Sequence, residues 1–371
     1  MASSILHRTI IVVLALTILP VSGWTGDQVY PDSATTEQLI QVQRYLFNDN
    51  FDAADSLADV MMDERPNDPS GFFCAGVATL VRMFDAESKE GSEQFHRFMD
   101  SSESLAQSGT HTRDSNYVAW NYYFLANTIS YRAMWKAKFG SPFLALRAAV
   151  KAKGFYERGL EHDSTVTDLY LGLGLFHYWK SVKAGILRRI GIFHNDIDRG
   201  IEEIYLAAAN SAVSREAARN ALVWVWLDRK EYDSVLVIGA EMENAYPEGK
   251  TFLWPMAEAY EELGRHEEAV CTYERIRTLL LEQPGNYYNL IECDFRIVRG
   301  LEKLDLDAEA GLSAARSNDY NDLIAKDIGK KQKNKISYLE KRAIHPSIPR
   351  SVAPCEAARR SVDSLPSEST R

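Results

Sequence analysis

From Leu253 to Glu282 the chain reads LWPMAEAYEELGRHEEAVCTYERIRTLLLE, with apolar and small residues every three or four positions and Gly264 as the break. A period near 3.6 residues is that of an amphipathic helix, and a glycine between two periodic runs marks a turn. The stretch predicts two helices of about a dozen residues each, joined at Leu263-Gly264-Arg265. Small residues at Ala257 and Ala269 let two backbones approach, and Tyr260 and Tyr273 are placed to fill the space between units. One such pair cannot bury its own apolar face, so pairs must stack.

The small-residue position can be traced along the chain at Val42, Gly76, Ala126, Gly174, Ala221 and Ala257, with spacings of 34, 50, 48, 47 and 36 residues. The ends are regular and the middle is stretched, so long helices or long joins must absorb the excess. Leu253-x2-Met256-Ala257-x2-Tyr260 and Tyr170-x2-Leu173-Gly174-x2-His177 follow the first-helix pattern W-x2-L-G-x2-Y. On these residues the chain resembles the tetratricopeptide repeat superfamily. That resemblance implies an all-α, right-handed solenoid of about six to seven helix pairs, with a concave groove for peptide. Between Gly172 and Ala208, three pieces resemble the TTC-thirty-nine and Iml-type family of tetratricopeptide proteins: Gly174-Leu175-Phe176, Ile186-Leu187-Arg188 and Asp198-Arg199-Gly200-Ile201. The last departs from that family's D-R-x-x-G turn because Arg199 and Gly200 are adjacent. This second resemblance implies long-helix architecture and no catalysis.

His177 falls in an aromatic packing position, which predicts a hydrogen-bonded core histidine. Ser181 to Asn195 reads as an elongated join, with His194 in the loop and Asp196 and Asp198 as caps for the next helix. After Pro284-Gly285, residues Asn286 to Leu304 suit a closing helix, and a shorter one is expected over Ala308–Ala325. From Gly329 onward the periodicity fails among prolines, Ser, Lys and Arg, the composition of a largely disordered tail.

The N-terminus has a different character. His7 and Arg8 precede a 13-residue apolar run, Thr9 to Val21, and Val21-Ser22-Gly23 supplies small residues at a cleavage point. That is the layout of a secretory signal peptide. The run is shorter than the roughly 20 residues of a membrane span, and an uncleaved anchor is the alternative. The chain thus divides into a signal peptide (1–23), a linker (24–35), a helical array (36–304), a short helical extension (305–328) and a basic tail (329–371), with a periplasmic or extracellular location expected.

Charge sharpens this division. The formal net charge is −10, which disfavours a general nucleic-acid role. Between Lys326 and Arg360 ten basic residues face three acidic ones, so this segment carries +7 and the remainder −17. The four cysteines, Cys74, Cys271, Cys293 and Cys355, show no Cys-x-x-Cys pair, so neither a metal nor a cofactor is expected. Cys271 and Cys293 are the best candidate bridge because they fall on neighbouring predicted helices, although small buried thiols are the favoured reading.

A phosphate-binding glycine loop, a His-Glu-x-x-His helix and a Gly-x-Ser-x-Gly elbow are all missing from the chain. Asp305-Leu306-Asp307 starts like a calcium loop but lacks its glycine and terminal Glu spacing. Paired acids such as Glu261-Glu262 read as solvated helix faces. No catalytic residue is assigned. The leading expectation is a non-catalytic scaffold binding a protein or peptide partner in a concave groove. Candidate groove residues, outside the packing positions, are Asn121, Asn127, Arg132, Lys180, Asn220 and Trp254. The alternative is a peripheral protein touching an anionic membrane through 181–193, by Lys183, Arg188, Arg189 and Phe193, or through the basic tail.

Overall fold

The computed structural model describes residues 30–183, 195–283, 285–344, 354–356 and 358. Among these there are sixteen α-helices and no β-strand. In chain order they are α1 (Ser33–Phe47), α2 (Phe51–Glu64), α3 (Pro69–Asp85), α4 (Ser92–Gly109), α5 (Ser115–Phe139), α6 (Pro142–His162), α7 (Leu169–Lys183) and α8 (Ile197–Asn210). Then follow α9 (Arg215–Asp228), α10 (Tyr232–Ala245), α11 (Leu253–Glu262), α12 (His266–Glu282), α13 (Tyr287–Lys303), α14 (Asp307–Ala315), α15 (Lys326–Lys331) and α16 (Lys333–Arg342). The expected signal segment lies outside the described residues.

Local chemistry sets the helix starts. Asp32, Asn50, Asp68, Asp114 and Asn286 each accept a hydrogen bond from a backbone N–H in the first turn of the following helix, satisfying donors that have no partner inside the helix. The expected turn at Gly264 is present, with φ 73, and Asn48-Asp49-Asn50 forms another between α1 and α2, with Asp49 at φ 55. Asp196 stands at the N-cap position of α8, but its side chain makes no cap bond and pairs with Lys180 instead.

Each helix from α1 to α13 packs on the next, and four odd-numbered pairs also pack next-but-one, α1 on α3, α3 on α5, α5 on α7 and α9 on α11. All six small-residue positions are buried, and two show why they are small. A Cβ on Gly76 would lie 3.2 Å from Met99 Sδ, and one on Gly174 would lie 2.6 Å from the Gly200 carbonyl oxygen. The long mid-chain spacings are absorbed by long helices: α4 has 18 residues, α5 has 25 and α6 has 21. The largest apolar cluster runs through α1–α7, with Phe73 packed edge-on against Phe124 and Tyr131, and a second runs through α11–α16.

The turn between α8 and α9 is drawn into the array. Buried Asp168 accepts from the backbone N–H groups of Ala212, Val213 and Ser214 at 2.9, 2.9 and 2.6 Å. Tyr123 of α5 bonds Ser214 Oγ at 3.2 Å, and Gln43 of α1 donates to the Val213 carbonyl at 3.0 Å. Three separated segments therefore meet at one turn.

The beginning of the chain also meets its later part. Lys250, 2% exposed, places Nζ 2.9 Å from Asp49 Oδ2 and 3.7 Å from Asp85 Oδ1, and its backbone N–H donates to Asp49 at 2.7 Å. Asn286 and Asn289 both donate to the Asp85 carbonyl, and Gln283 donates to that of Asp49. Phe47 packs against Tyr246 and Phe252, with ring centroids 5.1 and 5.3 Å apart. Gly249 lies so close that a Cβ there would overlap the Phe47 carbonyl. This seam joins residues some 200 positions apart.

Past α13 the helical pattern does not stop at Gly329. Helix α16 lies on α13 and α14, with Leu339 fully buried. Lys335 pairs with Glu292, while Arg342 and Tyr338 both reach Glu302. Two of the six cations in 329–342 thus meet acids of α13, and buried Leu339 anchors the helix, so a stretch with the makeup of a disordered tail is helical there. The Cys271–Cys293 bridge is corrected: Cys271 is bonded to Cys355 across 84 residues, and Cys293 and Cys74 are buried free thiols. The tail, not the neighbouring helix, brings the partner sulfur to α12.

Candidate functional site

A cleft of about 600 Å³ opens where the seam brings α1 against α9 and α10. Arg44 and Tyr45 stand on one wall, Glu216 and Arg219 on the other, and Tyr246 and Glu248 follow α10. Arg44 is in the last turn of α1, exposed, where a cation complements the helix C-terminus. Arg219 contacts Glu216 at 3.5 Å and also pairs with Glu241. Burial pushes the Tyr246 hydroxyl's pKa above its ordinary value; Glu216 adds to that shift, while Arg44 and Arg219 oppose it. The phenol therefore stays neutral at physiological pH and can both donate and accept hydrogen bonds. Two cations, two carboxylates and two phenols facing one opening form a surface suited to a ligand carrying both charges.

The groove residues expected from the sequence are not gathered around this cleft. Asn121 is fully buried and donates to the Tyr117 carbonyl at 2.9 Å, and a Cβ on Gly109 would overlap its amide. Asn127 donates to the Tyr123 carbonyl and accepts from the Tyr156 hydroxyl, both at 2.9 Å. Arg132 pairs with Asp100 and Glu103, tying α5 to α4. Lys180 pairs with Asp196 across the α7–α8 join. Trp254 is half-buried, edge-on to Tyr273 at 6.1 Å. Asn220 alone borders the cleft in sequence, next to Arg219; its buried Oδ1 has no hydrogen-bond partner among the described residues.

Of the expected membrane contacts, Lys183 is exposed, with its ammonium 5.6 Å from the Trp179 ring centroid. Arg188, Arg189 and Phe193 lie outside the described residues, as does His194. His177 is buried, as its packing position implies, with Nδ1 2.6 Å from Glu203 Oε2, and Arg199 Nε holds the other oxygen at 2.9 Å. This triad joins α7 to α8 and borders no described cleft.

The cleft residues were not singled out from the sequence. Arg44, Glu216, Arg219 and Glu248 sit at ordinary polar helix or turn positions, and no local signal distinguishes them; only the seam assembles them. Burial pushes the Cys74 thiol up to about 12, so it is not a nucleophile at neutral pH. Among the described residues no cluster of His, Cys, Asp and Glu could hold a metal ion, and no helix is long and apolar enough to cross a membrane. No protein-family model matches the chain, and no curated protein matches it.

Proposed function

We propose that the protein is an exported, non-catalytic scaffold of tetratricopeptide-like helix pairs that holds a peptide segment of a partner protein in the cleft between α1 and α9–α10. The observation that carries this reading is the packing order. Successive helices from α1 to α14 pack in sequence, four pairs of odd-numbered helices also pack next-but-one, and a small or β-branched residue is buried at each repeat position. Such stacking is the mark of a repeat array, whose extended surfaces serve as binding platforms. The fold-to-function step is an analogy; the mixed charge of the cleft supplies the chemistry. The disulfide accords with export, since such bonds persist in oxidising compartments.

The test is selection of a displayed library of short peptides on the full chain, followed by anisotropy titration of the enriched sequences. Enrichment of peptides bearing both acidic and basic side chains is expected, with affinity falling roughly tenfold, about 1.4 kcal/mol, in Arg44→Ala. Enriched peptides that bind Arg44→Ala and Arg219→Ala as tightly as the native chain would remove the cleft from the proposal. No enrichment above a denatured control would overturn the scaffold reading itself.

A further inference from the structure

Helix α6 carries apolar side chains on two opposite faces. Ala145, Ala152, Tyr156 and Gly159 are buried against the array. On the other side Phe143, Leu146 and Val150 are 67%, 54% and 53% exposed. Their spacing, i, i+3 and i+7, makes one continuous stripe along the first two turns. Leu144 beside them and Met134 near the end of α5 are 46% and 47% exposed. Large apolar side chains exposed singly are ordinary, but a contiguous stripe marks a surface that is covered in use.

The charge around the stripe points to what covers it. From 132 to 153 the chain contains Arg132, Lys136, Lys138, Arg147, Lys151 and Lys153 and no acidic residue, in a protein of net charge −10. Four acids from elsewhere pair with part of this set: Asp100 and Glu103 with Arg132, Glu87 with Lys138, Glu103 again with Lys151, and Glu157 with Lys153. Lys136 and Arg147 have no ion pair among the described residues. Arg147 is exposed and falls four residues after Phe143 and three before Val150, on the same face. The patch is apolar at its centre and cationic at its margin.

We propose that this face of α6 rests on an anionic lipid surface. Phe143, Leu146 and Val150 would enter the boundary between headgroups and acyl chains, while Arg147, which has no ion pair among the described residues, lays its stem along the apolar stripe and its charge among the phosphates. A surface-lying helix needs no spanning length. The contact is separate from the cleft between α1 and α9–α10 and stands whether or not that cleft binds peptide. It is also distinct from the join after α7 and from the basic tail.

The test places an environment-sensitive NBD fluorophore on Leu146→Cys in the full chain. Cys74 and Cys293 are buried and Cys271 is bonded to Cys355, so the added thiol labels selectively. Vesicles of phosphatidylcholine with phosphatidylglycerol are expected to shift the emission to the blue and raise it, and pure phosphatidylcholine to leave it nearly unchanged. Phe143→Ser/Val150→Ser in the labelled chain should weaken this partition by roughly tenfold or more, with unchanged circular dichroism. Because the probe reports from α6, binding through the N-terminal apolar run would not produce the shift. No shift on anionic vesicles overturns the proposal. So does an equal shift on neutral vesicles, and so does a concentration-dependent shift without lipid, which would assign the face to a second copy of the chain.

Discussion

Lys250→Met is the sharpest perturbation of the seam. Methionine keeps most of the apolar stem and removes the charge, leaving Asp49 and Asp85 facing each other without a cation. Lys250 and Asp49 are 2% and 5% exposed, and Asp85 is 20% exposed. Removing one partner of a buried ion pair costs about 3–5 kcal/mol. The lower end applies because Asp85 keeps some solvent and Asp49 still accepts from the Lys250 backbone N–H. A loss of about 3 kcal/mol corresponds to a fall of roughly 4 °C in Tm for a chain of this size. The assay is thermal unfolding with amide exchange, in which protection should fall around 47–50 and 246–252 before it falls in α5. Restoring neutrality with Asp49→Asn/Asp85→Asn in the same chain should recover about half of the loss; Asn also tolerates the left-handed backbone of position 49, φ 55. Burial raises the Asp85 pKa, and Lys250 opposes that shift; without Lys250 it rises further. A raised folded-state pKa contributes stability below the unfolded value that is lost as pH rises through the folded value. The deficit of Lys250→Met should therefore be smaller near pH 4 than at pH 7. A variant within about 0.5 kcal/mol of the native chain, in the ordinary range of surface substitutions, would refute the reading of this cluster as a lock.

Gly174→Ala should cost about 1–3 kcal/mol by overpacking, because its Cβ would meet the Gly200 carbonyl oxygen at 2.6 Å and the Ile204 nitrogen at 2.9 Å. Gly154→Ala, with nothing within 4 Å, should be neutral or stabilising by up to about 1 kcal/mol; denaturant unfolding compares the two, and equal effects would argue against close approach of α7 and α8. Burial raises the Glu292 pKa, but Lys335 and Arg296 outweigh it and hold the carboxyl below its ordinary 4.5. A depressed pKa gives stability present above the unfolded value and lost as pH falls through the folded one, so α16 should lose exchange protection below about pH 4 and keep it at pH 6. Peptide mapping without reductant should recover Cys271 joined to Cys355, with Cys74 and Cys293 alkylated only after denaturation; a Cys271–Cys293 product would contradict the arrangement of the tail.

The helical array was legible because its signals are local. Gly264, the Asn48-Asp49-Asn50 turn and the small residues at Gly76 and Gly174 each act within one helix or on its neighbour, and a 3.6-residue period reports that directly. The spacings of the elongated middle leave long helices and long joins both open, whereas the aromatic run from Trp120 to Trp135 reads as one long helix, which α5 is. Composition misled at 329–342: Lys335 and Arg342, which read as part of a solvated tail, have acid partners on α13, 43 and 40 residues earlier, and pairing cannot be read from charge alone. The same gap explains Cys355, whose partner is set by where the tail returns.

The seam is the least legible part and the most consequential for function. Asp49 and Lys250 are 201 residues apart, and neither carries a mark of burial: an aspartate in a turn and a lysine after Glu248-Gly249 are what a solvated loop would contain. Asn121 is buried against Gly109 of α4 and Asn127 accepts from Tyr156 of α6, so these polar residues pack between neighbouring helices rather than face a channel. Under the proposed function a partner would approach from the margin, where α1 and α9–α10 leave Arg44, Glu216, Arg219 and Tyr246 around one opening. Opening the seam would separate these walls, so a ligand that bridges them should stabilise the Asp49–Lys250–Asp85 lock by mass action. Peptides selected on the native chain should accordingly raise its Tm, and the rise should vanish in Lys250→Met if the two walls are no longer held together.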